Sequence, residues 1–342
     1  MYINSIILYL SLLRRQLPRQ REPIKFEALV RRRFKGIFTM KNKTRQIIFP
    51  TLAALIWGTA FVAQSVSTDH VGPFAFNASR SIIAFFVLLA VSALFKKVKA
   101  KRGEATSTGS KKDLIIGGIC CGIVLAAASN FQQAGLADTA PGKAGFITAL
   151  YVVLVPVLGI FLRRKASLPV WVGAVLAVGG LYLLCIKDGF SVEKSDLLVL
   201  VCAFIFAMHI MCVDHFVQKT DGVMLSCVQF LTAGVVSAVL SLIFEKQDIS
   251  GIIECALPIL YVGVFSSGVA YTLQILAQKD SDPTVVSILL SLESVFSVLA
   301  GAVILGDRLS GREYLGCVLM FAAVVLAQLP WPPSLKDINQ KL

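Results

Sequence analysis

The chain has 342 residues, 56% of them hydrophobic and only 15% charged, with a mean hydropathy of +0.76. A soluble domain carries about 25% charged residues. The deficit here extends over nearly the whole chain after residue 46, which excludes an ordinary soluble fold and predicts an all-α polytopic membrane protein. The formal net charge of +13 does not imply nucleic-acid binding, because the basic residues sit at the ends of apolar runs and in the N-terminal arm.

Residues 1–46 form a basic cytoplasmic arm. Its apolar stretch INSIILYLSLL is too short to span a membrane, and twelve Lys and Arg surround or follow it. A secretory signal is not indicated, since the charges follow the apolar segment instead of preceding it. The arm reads either as a membrane-surface segment or as an extension upstream of a start at Met40, where MKNKTRQIIFP begins. The second reading is preferred, because without residues 1–39 the net charge falls from +13 to +6.

A bilayer core of about 30 Å needs roughly 20 apolar residues per helix. Ten runs meet that need: 47–67, 74–95, 114–135, 142–162, 168–186, 197–217, 222–244, 255–276, 283–305 and 312–329. A cytoplasmic tail, 330–342, follows. Most connections are short, so consecutive helices are expected to be antiparallel neighbours. Lys and Arg are distributed 26 to 5 between the two sets of connections. That asymmetry predicts both termini on the cytoplasmic side of a cell membrane.

The eight cysteines, Cys120, Cys121, Cys185, Cys202, Cys212, Cys227, Cys255 and Cys317, lie in or beside apolar runs and form no C-x-x-C pair. They read as small buried hydrophobes, with no disulfide framework.

The chain also repeats itself. With an offset of about 142 residues, Gln132 meets Gln274, Asp138 meets Asp280, Pro141 meets Pro283 and Gly159 meets Gly301. After a one-residue gap, Ser167 meets Ser310 and Gly173 meets Gly316. The offset corresponds to five runs, so residues 47–186 and 197–329 read as two repeats. An odd number of spans per repeat makes the two halves insert in opposite senses, the plan of secondary transporters with a site at the repeat interface.

The residues IWGTAFVAQ in the first run, GPFAFNASR entering the second, GKAGFITALYVVLVPVLG in the fourth and LSLESVFSVLAGAVILGDRLS in the ninth resemble the drug/metabolite transporter superfamily, EamA-like branch. The resemblance covers roughly residues 47–329. It implies ten helices, both termini inside, and alternating-access transport of small organic metabolites, often export. One departure is that RRKAS follows the fourth run where the second half has GDRLS.

Polar residues within the runs are the candidate site. Glu293 is the only charge in the ninth run. An ionised group at mid-depth costs about 2.5–3.5 kcal/mol on insertion scales, and such groups are functional by default. It is read as a substrate- or proton-binding group, against the alternative of a structural acid bonded to a neighbouring helix. Arg80, with Asn77 one turn before it, is a candidate anchor for an anionic group, because a guanidinium cannot shed its charge. Snorkelling to the surface is its alternative. An Arg80–Glu293 pair is a further option. Trp57 and Tyr151 supply apolar or stacking walls, and Asn130 and Gln133 uncharged donors and acceptors. Amides at that depth also bond simply across helices.

The sixth run places Met208, Met211, Cys212 and His215 on one face. This set reads as helix packing with His215 at the cytoplasmic end, and only secondarily as a soft-metal site. His209 reads as a bonded core histidine. No Walker-type phosphate loop, H-E-x-x-H or G-x-S-x-G is present.

The reading that follows is a secondary-active carrier, not an enzyme, for a small polar metabolite such as an amino acid or related compound. The proton is the candidate coupling ion, no cofactor or metal is expected, and a homodimer is compatible. The alternatives are a membrane-embedded enzyme acting on lipid-linked substrates and a soft-metal permease.

Overall fold

The computed structural model describes residues 42–101, 110–139, 141–163, 166–186, 193–246, 249–279, 281–305 and 310–327. Residues 1–41 of the N-terminal arm, with the alternative start, the acidic Asp280 and Asp307, and the tail fall outside the described residues. Contacts divide the chain into Met1–Arg45 and Gln46–Leu342.

The described secondary structure is helical. In chain order the helices are α1 (Asn42–Ser67), α2 (Pro73–Lys101), α3 (Lys111–Gly135), α4 (Pro141–Ala149), α5 (Tyr151–Phe161), α6 (Leu168–Cys185), α7 (Lys194–Val217) and α8 (Gly222–Phe244). There follow α9 (Ile249–Glu254), α10 (Ala256–Tyr261), a π-helical turn (Val262–Ala270), α11 (Tyr271–Gln278), α12 (Pro283–Leu290), α13 (Glu293–Leu305) and α14 (Gly311–Ala327).

Among the described residues, eight helical stretches are long and apolar enough to cross a membrane, with Leu168–Leu184 as a shorter apolar helix. The sequence suggested ten. The difference falls on the fifth and tenth runs, where α6 and α14 are the shorter elements and α14 carries Arg312 and Glu313 in its first turn. Seventeen residues at 1.5 Å each reach about 26 Å, short of a full hydrocarbon core.

The outside of the bundle is apolar and its inside is partly polar, the reverse of a soluble protein. Phe86, Phe161, Val175, Leu242 and Phe321 are more than 60% exposed, while Asn77, Arg80, Gln133, Gln229 and Glu293 are buried. Water would not tolerate so much exposed apolar surface; lipid tails do. The protein is a multi-pass membrane protein.

Two of the membrane stretches are interrupted at related places. Between α4 and α5 the backbone tightens to i−3 hydrogen bonds at Leu150 and Val153, and between α12 and α13 it does the same at Leu292 and Ser294. Such tightening within a helix marks a hinge or a functional break. It leaves Tyr151 and Glu293 as the first residues of α5 and α13.

Small residues set the closest helix contacts. A Cβ on Gly180 would sit 2.9 Å from the carbonyl oxygen of Gly316, and one on Gly316 would sit 2.8 Å from that of Gly180. Gly173 meets the Ala323 carbonyl in the same way, at 3.0 Å. These contacts run α6 and α14 antiparallel at backbone distance, a small-residue seam typical of membrane helices.

Candidate functional site

The broken stretches, the π-helical turn and α1, α2, α3, α7 and α11 surround a cavity whose empty space, counted out into the open solvent at its mouth, is about 480 Å³. Its walls are mixed. Trp57, Phe61, Phe206 and Tyr271 contribute aromatic surface, Arg80 and Glu293 the charged groups, and Gln64, Gln132, Thr148, Tyr151, His209, Ser266 and Gln274 neutral polar groups.

Glu293 is 4% exposed, and its Oε1 accepts a hydrogen bond of 3.0 Å from the Tyr151 hydroxyl. Its position at the start of α13 also places the carboxylate at the positive end of that segment's dipole. These two features offset part of the cost of an acid at this depth. Arg80 is 3% exposed, and its Nε donates to Asn77 Oδ1 at 2.6 Å. Asn77 in turn donates through Nδ2 to Asn130 Oδ1 at 2.8 Å and to the Ser129 carbonyl at 3.0 Å, and Asn130 Nδ2 donates to Ser237 Oγ at 3.1 Å. Arg80 is therefore held from behind by an amide chain linking α2, α3 and α8.

Among the described residues, no ion pair joins Arg80 to Glu293, so the pairing considered from the sequence is not formed. Each charge is oriented by a neutral partner instead, Asn77 for the one and Tyr151 for the other.

The sequence candidates thus separate into two groups. Trp57, Arg80, Tyr151 and Glu293 line the cavity. Asn77 and Asn130 lie behind Arg80, and Gln133 donates to the carbonyl of the lining residue Gln64 at 3.1 Å. Sequence reasoning passed over His209, Tyr271, Gln274, Thr148 and Ser266 as lining residues. A usable signal existed for one of them: Gln274 falls in the repeat alignment opposite Gln132.

Aromatic contacts stiffen one wall. The Trp57 and Tyr271 rings are 4.7 Å apart at 59°, and Phe230 packs edge-on behind Tyr271 at 5.4 Å. Trp57 Nε1 donates to the Ser266 carbonyl at 3.3 Å within the π-helical turn. A π segment frees carbonyls from regular pairing and often accompanies a binding site.

At the end of the bundle where α1 hands over to α2, charged groups tie the parts before and after residues 187–192. Lys143 on α4 forms an ion pair with Asp196 on α7, whose other oxygen accepts from Thr139 Oγ1 at 3.1 Å. Glu245, just past α8, accepts from the backbone N–H groups of Phe74 and Ala75 at 2.8 Å each. This bidentate carboxylate caps α2 with charge-assisted bonds. Asp196 also accepts from the Glu193 N–H at 2.7 Å.

The other sequence features occupy structural places. Met208 is exposed on the bundle surface, Met211 is buried, and His215 Nε2 contacts Lys219 Nζ at 3.0 Å. Glu313 accepts from the N–H and hydroxyl of Ser310 at the start of α14.

A family model described as the EamA-like transporter family matches the chain twice, over residues 44–186 and 193–329. The chain belongs to the EamA-like transporter family. An uncharacterized transporter of Archaeoglobus fulgidus is 30% identical over 284 residues, covering 81% of this chain and 84% of that protein. A solved protein crystal structure superposes with a TM-score of 0.68 at 20% identity, covering 87% of this chain and 99% of the other, which supports the fold of this EamA-like transporter.

Proposed function

We propose that the protein is a secondary-active carrier that moves a small polar metabolite, an amino acid or related compound, through the central cavity by alternating access. The observation that carries this reading is the cavity itself. It holds one buried acid and one buried guanidinium that are not paired with each other, set among aromatic walls. A ligand bearing both an ammonium and a carboxylate would satisfy both charges.

The ten-span, inverted-repeat plan is part of the same proposal. Three position pairs at the 142-residue offset line the cavity together: Gln132 with Gln274, Thr148 with Leu290, and Tyr151 with Glu293. Tyr151 and Glu293 bond directly to each other, as do the similarly spaced Cys227 Sγ and the Phe85 carbonyl at 3.9 Å. Contacts between counterparts are expected on a twofold axis. The antiparallel seam of α6 and α14, with Gly180 on Gly316 and Gly173 on Ala323, supports an axis lying across the helices, as opposed halves require. The Lys and Arg asymmetry supports cytoplasmic termini, which puts the Lys143–Asp196 end on the outer side.

The test is flux in proteoliposomes, screened with zwitterions, cations and anions of similar size. Arg80→Ala is expected to lower zwitterion flux about 10-fold or more, since a hydrogen bond to a charged group contributes roughly 1.5–3 kcal/mol. Undiminished flux in both Arg80→Ala and Glu293→Gln would remove these residues from the mechanism.

Opening toward the outer side requires the Lys143–Asp196 tie to part. Asp196→Asn keeps an acceptor for the Glu193 N–H and deletes the charge facing Lys143. The expected outcome is faster amide hydrogen exchange at 139–146 and 193–199 than in the wild-type protein. Equal exchange would mean that the ion pair does not hold this end closed.

A further inference from the structure

We propose that the cavity wall built by α7 and α11 is a hydrogen-bond-acceptor subsite, formed by His209 Nδ1 and Gln274 Oε1, which selects substrates whose side group carries an O–H or N–H donor. This deepens the transport reading above and rests on it for the identity of the cavity as the substrate site.

Both residues line the cavity and are buried, His209 at 0% and Gln274 at 1% exposure. Both named atoms lack a hydrogen-bond partner. The large majority of buried side-chain polar atoms have a partner, so two orphans on residues that line one cavity need an explanation. Other polar groups of the cavity are already engaged: Glu293 with Tyr151, Gln132 Nε2 with Thr148 Oγ1 at 3.3 Å, and Trp57 with Ser266. Among the described residues, unpartnered buried side-chain atoms also occur on Ser129, Gln133, Ser195, Gln229, Ser267, Gln278 and Ser281, but none of these residues lines the cavity.

The chemistry of the histidine is set from its far side. His209 Nε2 lies 3.2 Å from Gln229 Oε1, a carbonyl oxygen that can only accept. With the Gln229 amide in this orientation Nε2 carries the hydrogen, and in the neutral ring Nδ1 is left as a bare acceptor. The ring is kept in place by edge contact with Tyr271, centroids 6.0 Å apart at 77°. Gln274 Oε1 is an acceptor of the same kind. An apolar substituent would leave both acceptors desolvated and unpaired, whereas a hydroxyl or amide would satisfy them. A site built to bond a substrate hydroxyl rejects the methyl isostere far more strongly than an apolar pocket discriminates by size.

The experiment measures binding to the purified full chain by titration calorimetry with isosteric pairs: threonine against valine, glutamine against methionine, ethanolamine against n-propylamine, and lactate against isobutyrate. The donor-bearing member of a pair that binds is expected to bind about 10-fold tighter. In His209→Phe and Gln274→Leu the ratio should fall to about 2-fold or less. Should either variant fail to fold, the wild-type ratio alone decides. Binding without preference within the pairs overturns the subsite and leaves the transport reading standing. Binding by none of the eight compounds overturns both.

Discussion

Glu293→Gln is expected to abolish concentrative transport while leaving the protein folded. The Tyr151 hydroxyl, 3.0 Å from Oε1, can donate to an amide oxygen as readily as to a carboxylate. The substitution conserves shape and removes charge and the ability to exchange a proton. Flux should fall about 10- to 100-fold, the range for losing a charge-assisted contact of roughly 1.5–3 kcal/mol. Thermal melting in detergent should change little. With the proton as the coupled ion, uptake driven by an imposed pH gradient should disappear in this variant even where slow exchange of substrate persists. Retention of gradient-driven accumulation would exclude Glu293 as the coupling group.

The second large effect is expected at Gly58, which does not line the cavity. A Cβ there would lie 2.6 Å from the carbonyl oxygen of Glu293, 2.8 Å from Phe296 Cβ and 2.8 Å from the Ser297 backbone nitrogen. Two of those three atoms are backbone at the start of α13 and cannot rotate away. Gly58→Ala must therefore separate α1 from α13 or displace the turn that carries the acid. Overpacking of this kind costs about 1–3 kcal/mol, and here the strain falls on the atoms that position Glu293. A lower melting temperature together with lost flux is expected, whereas Gly179→Ala, where a Cβ meets nothing within 4 Å, should be neutral in both measurements. Wild-type behaviour of Gly58→Ala would show that α1 and α13 can part without cost.

Much of this arrangement could be read from residue order. Apolar run length is a direct consequence of bilayer thickness, and it located the helices. A lone acid in such a run costs too much to be incidental, which is why Glu293 stood out. Arg80 followed from the same reasoning. The remainder depended on contacts that order does not encode. Neither the tightening at Leu150 and Leu292 nor the π-helical turn at Val262–Ala270 was anticipated from residue order. Asn77, Asn130 and Gln133 were indistinguishable from lining residues because an amide at mid-depth needs partners whether those partners are protein or ligand. His209 was assigned to the core for the same reason, and only its unpartnered second nitrogen sets it apart.

The hydrogen bond between Tyr151 and Glu293 has a consequence for how such a chain could arise. The two positions lie 142 residues apart, one in each of the two regions matched by one family model, and are counterparts in the proposed repeat. In an assembly of two identical unfused halves, that place would hold two copies of a single residue. Two carboxylates at hydrogen-bonding range repel and cannot both stay ionised, and two phenols would supply no charge at all. Joining the halves in one polypeptide removes the dilemma, because each member of the pair can then mutate alone. The phenol–acid couple is a composition open to a gene duplicated and fused, and closed to a symmetric dimer.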